Sequence, residues 1–168
     1  MATVTVSRAR VARTISGNSP QVLTLPEGAS ATFKKGELVY LSAGYVTEIG
    51  DNPGYILGMA DEDAHNDDDA GTHNVAVVIA NNDTVFEFHK TDSSGSGAAT
   101  AVTDVGREFA IYRDTTNSWA TAYISGVGAG TNARLICLDH SNFDTVGDTG
   151  GRLLCMVMGS FRQLFCTS

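Results

Sequence analysis

The chain holds few residues of the kinds that carry chemistry. It has three cysteines, four histidines, one tryptophan and three prolines in 168 residues. No apolar run approaches the roughly 20 residues that a membrane-spanning helix needs. The opening residues, MATVTVSRARVART, contain no apolar segment of the secretory kind. The expectation is synthesis in the cytoplasm without export by that route.

The cysteines, Cys137, Cys155 and Cys166, are odd in number and form no CxxC. Each sits in an apolar, strand-like stretch: RLICLDH, RLLCMVM and RQLFCTS. That setting predicts reduced thiols acting as small core residues. A thiol nucleophile needs a base beside it. His140 is near Cys137 in sequence, but three residues along a strand place two side chains on opposite faces.

The remaining motifs fail one by one. His65, His73, His89 and His140 form no HExxH, no HxH and no Cys–His pair at zinc spacing, and read as surface residues. SGVGAGT at 125–131 meets neither phosphate-binding spacing and reads as a turn. SSGSG at 93–97 lacks the nucleophile-elbow arrangement. In DEDAHNDDDAG (61–71), Asp61, Asp63, Asp67 and Asp69 alternate, but His65 interrupts them. The glycine and distal glutamate of an EF-hand loop are also out of register. A solvated acidic loop is the main reading there, with a loose Ca²⁺ or Mg²⁺ site as its alternative. The expectation is therefore a protein that is not an enzyme, with no cofactor and no assigned metal site.

What is present is β-structure and an uneven charge. Eighteen glycines and an apolar content of 42% accompany many short alternating runs. The expected strands are 37–41, 45–49, 55–60, 74–80, 84–89, 108–113, 118–124, 133–139, 152–158 and 161–166. FKKGELVYLSAGYVTEIG (33–50) is a hairpin turning at Ser42-Ala43-Gly44, with the Leu38/Tyr40 face toward the core. KTDSSGSGAATAVTDVG (90–106) has linker composition, with a short helical turn near 98–104. The fold class is all-β: a compact barrel or sandwich body over 33–168 with an extended N-terminal arm and link over 1–32.

The net charge of −8 divides sharply. Residues 1–26 hold Arg8, Arg10 and Arg13 and no acidic residue, a charge of +3, so the rest carries −11. An acidic body is a poor partner for nucleic acid, and nothing points to a membrane. The arm joins strand-forming Val4, Val6 and Val11 to Arg8, Arg10 and Arg13. These six are the candidate partner-binding residues, adding a strand to a sheet edge of the body or of another subunit.

The two halves echo each other. MAD, NVAVVI and VFEF in the first correspond to CLD, RLLCMV and RQLF in the second, with 78 residues from Met59 to Cys137 and again from Asn74 to Arg152. KGELVYL (35–41) has a weaker echo in VGREFAIY (105–112), 70 residues on from Gly36 to Gly106. Two tandem β-units over 33–90 and 105–168 are one reading, and chance likeness among β-rich stretches is the other.

The succession FKKGELVYLSAGYVTEI, YILGMADEDA, NVAVVIANNDTVFEF, VGREFAIY, SWATA and ARLICLDHSNFDTVGDTGGRLLCMV resembles the capsid cement, or head decoration, proteins of tailed bacteriophages. The resemblance covers about 33–165 and rests on glycine-plus-strand patterns and the GDTGGR turn. It implies a β-body on the outer surface of the phage head, bound to the major capsid protein and to copies of itself as a homotrimer, made in the host cytoplasm. Its implied job is to clamp neighbouring capsid subunits, with no cofactor and no chemistry. Two other readings stay open. One is a carbohydrate-binding or adhesive β-module using Trp119, Tyr123 and loop carboxylates, with calcium at 61–69. The other is a small hydrolase or metal-dependent enzyme on a β-barrel, using the His and Asp residues.

Overall fold

The computed structural model describes residues 1–123 and 132–164. Among them run eleven strands: β1 (Arg10–Thr14), β2 (Val22–Pro26), β3 (Leu38–Ser42), β4 (Tyr45–Glu48), β5 (Gly58–Ala60), β6 (Asn74–Ile79), β7 (Thr84–Thr91), β8 (Glu108–Asp114), β9 (Trp119–Tyr123), β10 (Leu135–His140) and β11 (Arg152–Val157). Val, Ile and aromatic residues at alternating positions suit a pleated, half-buried surface. The loop between β3 and β4 is Ala43-Gly44, with φ of 51° and 91°, a left-handed pair that matches strand twist.

The strands form two sheets in an all-β body. The first runs β2-β6-β5-β3-β4, and the second β1-β7-β11-β10-β8-β9. In the second, β9 returns to pair in parallel with β7 and closes a five-stranded barrel. Leaving out β1, the two strand orders are the same. So is the register. Glu27, after β2, bridges in parallel to Val46, which faces Leu41; Lys90 of β7 pairs in parallel with Ala122, which faces Ile111. Gly36 N–H donates to the Ala60 carbonyl and Ala60 N–H to Glu37; likewise Gly106 donates to Cys137 and Cys137 to Arg107.

The interiors match position by position. Val39, Val46, Ala60, Val75, Val77 and Ile79, with Leu23, Leu25 and Leu41, fill the first sheet. Phe109, Ala122, Cys137, Leu153, Cys155 and Val157, with Phe86, Phe88 and Ile111, occupy the corresponding places in the second. Leu38, Ile56, Met59 and Val78 point outward from the first sheet and join the core of the second. The hairpin thus differs from expectation: Leu38 and Val39 are both fully buried. One face of β3 fills its own sheet and the other packs on its neighbour. Across that junction Arg113 Nε donates to buried Glu37 at 2.5 Å, and Asn52 Nδ2 to Tyr123 Oη at 3.1 Å. Burial pushes the Glu37 carboxyl up while Arg113 pulls it back.

Other expectations shift in detail. β7 belongs to the second sheet and β2 to the first, so the chain changes sheets between Ile79 and Thr84 rather than near 91–104. The linker-like 90–106 stretch is folded onto the body through Thr91–Gly97 and Ala99–Thr149 bridges, then a 3-10 turn at Val102–Asp104. The last expected strand is a 3-10 turn at Gly159–Phe161 and one bridge between Ile56 and Arg162. Its end at 165–166, with Cys166, and the 125–131 stretch lie outside the described residues.

Each closing seam holds a buried charge. Glu27, 2% exposed, accepts from the His65 and Asn66 backbone N–H groups. At the matching place Lys90 Nζ donates to both carboxylate oxygens of Asp104 at 2.8 Å, and Asp104 also accepts from Ala101 N–H. Removing one member of such a pair leaves an uncompensated charge. Lys90→Met is expected to cost about 3–5 kcal/mol, and Lys90→Met with Asp104→Leu much less. Urea unfolding of the two variants checks this; equal losses would show that the pair is not the cause.

Candidate partner-binding site at the N-terminal arm

β7 is eight residues long, and β9 uses only Lys90 and Thr91 of its edge. The rest of that edge is open to another strand, and β1 takes it. Arg10 stands opposite Glu87, Val11 opposite Phe86, Arg13 opposite Val85 and Thr14 opposite Thr84, with a bulge between Val11 and Arg13. Of the two places open to the arm, the single chain uses its own sheet.

The six candidate residues fall into different settings. Val4 N–H donates to the Thr149 carbonyl at 2.8 Å, and Thr149 N–H to Ala2. Val6 lies beside Gly150 and is half-buried. Val11 packs on the second sheet's core beside fully enclosed Ala9. Arg8 is exposed and reaches the Lys35 carbonyl at 3.3 Å. Arg10 makes a two-pronged contact with Glu87, Nε–Oε1 at 2.7 Å and Nη2–Oε2 at 3.1 Å. Arg13 is exposed and, among the described residues, takes part in no ion pair.

Several residues the sequence reading did not select complete this site. Glu87 is 4% exposed and also accepts from Ser141 Oγ at 2.7 Å, with Arg152 Nη1 3.6 Å away. Arg152 is fixed in turn by Asp144, Nε–Oδ2 and Nη2–Oδ1 both at 2.7 Å. These bonds hold the Asp144 carboxyl below its usual range. The Phe143 ring lies near both guanidinium groups, its centre 4.9 Å from Arg10 and 5.3 Å from Arg152, and it is 72% exposed. Val102, Val105 and Val146 are exposed on the same two loops, 98–106 and 139–149. Gly147 N–H to Thr100 Oγ1 and His140 to the Ala101 carbonyl tie those loops together. The available signal was Phe143 itself, an aromatic in the otherwise polar SNFDTVGDTGG.

His89 corrects the surface reading. It is 2% exposed, its Nδ1 donates to the Gly150 carbonyl at 2.6 Å, and the Ser7 hydroxyl lies 3.0 Å from Nε2. Burial pushes its pKa below the ordinary 6.5. The reason is that Ser7 of the arm and the Gly150 backbone cover it, contacts that lie far away in sequence. The acidic loop is spread out: Asp61 pairs with Lys35, Asp63 with Lys34, and Asp67 with His73. No group of three or more His, Cys, Asp or Glu suited to a metal ion occurs among the described residues. No described helix is long and apolar enough to cross a membrane. Comparisons with protein-family models, curated proteins and solved structures find no match.

Two outcomes follow from the arm's seat. Gly150 has φ +73°, and a Cβ there would lie 2.6 Å from the Val4 carbonyl oxygen. Gly150→Ala should cost about 1–2 kcal/mol and speed amide exchange at Val4 while β10 and β11 stay protected. Unchanged protection at Val4 would show that the glycine does not hold the arm down. For His89, the lowered folded pKa means that the unfolded chain takes up a proton first as pH falls. Its contribution is intact above pH 6.5 and is lost as pH falls through the folded value. Urea midpoints between pH 7.5 and 5 should decline in the wild type and decline less in His89→Gln; parallel declines would assign the effect to another group.

Proposed function

We propose that this protein is a structural component of a tailed-phage head, bound to the outer surface of the capsid and clamping neighbouring major capsid subunits. The observation that carries the reading is Phe143. An exposed aromatic side chain resting beside two anchored guanidinium groups is pre-ordered, so little side-chain freedom is lost when a partner covers it. Beside it lie the arm and the exposed valines of the two adjoining loops.

Further support comes from the likeness of 33–165 to head decoration proteins and from the charge. A body of strongly acidic character stays soluble before docking. The exposed Arg8 and Arg13 can meet carboxylates on a neighbour. Joined as a homotrimer, three such sites bind with far greater strength than one, because the later contacts form within an already attached assembly. No reactive group takes part.

Quantitative mass spectrometry of purified particles tests the reading. The expected result is a copy number equal to that of the major capsid protein or a simple fraction of it. A few copies per particle, or none, would remove the head-surface role.

A further inference from the structure

Cys137 and Cys155 stand directly opposite each other on the antiparallel pair β10–β11. Both thiols are free, and the residues are 1% and 0% exposed. The backbone of Cys137 sets the kind of pair. Its N–H donates to the Arg107 carbonyl and its carbonyl accepts from Gly106 N–H, each at 2.9 Å. Both groups therefore point toward the 106–107 segment and away from β11. The Cys137–Cys155 pair is a non-hydrogen-bonded one, the narrow kind, with Cα atoms about 4.5 Å apart. That lies inside the roughly 4.4–6.8 Å range that a disulfide spans.

The side chains agree with the backbone. The neighbouring Cys155 side chain lowers the pKa of Cys137, and Cys137 Sγ reaches the Asp139 carbonyl at 3.4 Å. Burial pushes the Cys155 thiol well up. Of the two, Cys137 is the thiol beside a break in the ladder. A bulge follows it immediately, between Cys137 and Asp139, where the ladder with β11 is interrupted.

We propose that Cys137 and Cys155 are a latent cross-strand disulfide that closes when the protein meets a small-molecule disulfide. The Cys137 thiolate attacks one sulfur of the oxidant RSSR; the S–S bond breaks and RS⁻ leaves to be protonated. The Cys155 sulfur, giving up its proton, then attacks Cys137 in the mixed disulfide and expels the second RS⁻, which takes a proton. Two cysteine thiols and one RSSR become one protein disulfide and two RSH, with two electrons and two protons passed to the oxidant. In a reducing compartment the pair stays as two core thiols. Outside it, the bridge fastens β10 to β11 by restricting the unfolded chain. The inference needs no partner and does not depend on the head-surface role.

The test uses the full chain with Cys166→Ser, leaving two thiols. The protein is incubated with oxidised glutathione, and with the smaller cystamine, at the foot of its thermal transition, where local opening admits the reagent. Trypsin cuts after Arg134, Arg152 and Arg162, so Cys137 and Cys155 fall in separate peptides, 135–152 and 153–162. The expected result is the loss of both titratable thiols, those two peptides joined in the non-reducing map, and a melting temperature raised by about 5 °C, reversed by dithiothreitol. Two thiols still titratable, a stable mixed disulfide on Cys137, or a cross-link between chains would each overturn it. Cys155→Ser in the same background should show neither the joined peptides nor the shift.

Discussion

The second sheet is closed by a parallel pairing of β7 with β9 at Lys90–Ala122, and the first is drawn together at the matching place by a single parallel bridge from Glu27, just after β2, to Val46 of β4. A sheet curled this far has to bring its ends together or leave unpaired backbone groups on a bent edge. The closure is short in both cases, and the rest of the molecule is arranged around that shortness. Because β9 occupies only the last two residues of β7's edge, the first half remains for β1. Because the seams lie over the interior, the side chains beside them are buried, and the charged ones are tied to loops: Glu27 to 65–66, Lys90 to 101–104. The loop next to the second seam is in turn bonded to the 139–149 loop that carries Phe143.

The strands were legible where local pattern decides them. Alternation placed β3, β4, β6, β7, β8 and β11 within a residue or two of their observed bounds. The hairpin turn was equally plain, since Ala43-Gly44 sits between two alternating runs. What pattern did not reveal was enclosure on both faces. β7 is buried at all eight positions, including His89 and Lys90: Phe86 and Phe88 face the core, while Arg10, Ser141, Ser7 and Gly150 cover Glu87 and His89 on the other face. Composition alone marks His and Lys as surface residues, and only the tertiary partners Gly150, Ser7 and Asp104 reverse that. The stretch 90–106 misled in the opposite direction. Ser, Gly and Ala suit a linker, yet here they suit the close approach of backbones, Gly97 lying against Gly150.

The candidate site was legible in its arginines and not in their partners. Arg8, Arg10 and Arg13 stand out as the only charges in the first 26 residues. That Arg10 meets Glu87, 77 residues away in sequence, depends on the β1–β7 register, which no local signal encodes. The arm is also held from beneath. Gly36 and Gly150 both have positive φ, and a side chain at either would lie within 2.7 Å of an arm carbonyl, that of Ala9 or of Val4. Two small residues in distant loops therefore set the path of a strand to which neither belongs.

The shared strand order means that the chain carries an alignment of itself. Each position in one sheet has a counterpart solved under the same backbone constraint but with different neighbours. Where the counterparts agree, as at Gly36 and Gly106 or Asp61 and Asp139, the local chain path is what selects the residue. Where they diverge, as at Leu23 and Phe86 or Val39 and Phe109, the surrounding volume selects it. The matching loops diverge furthest of all: 61–69 is rich in carboxylates, while 139–149 bears Phe143 and Val146. The two scaffolds are thus alike while their rims have opposite characters, one rich in carboxylates and one bearing exposed apolar side chains.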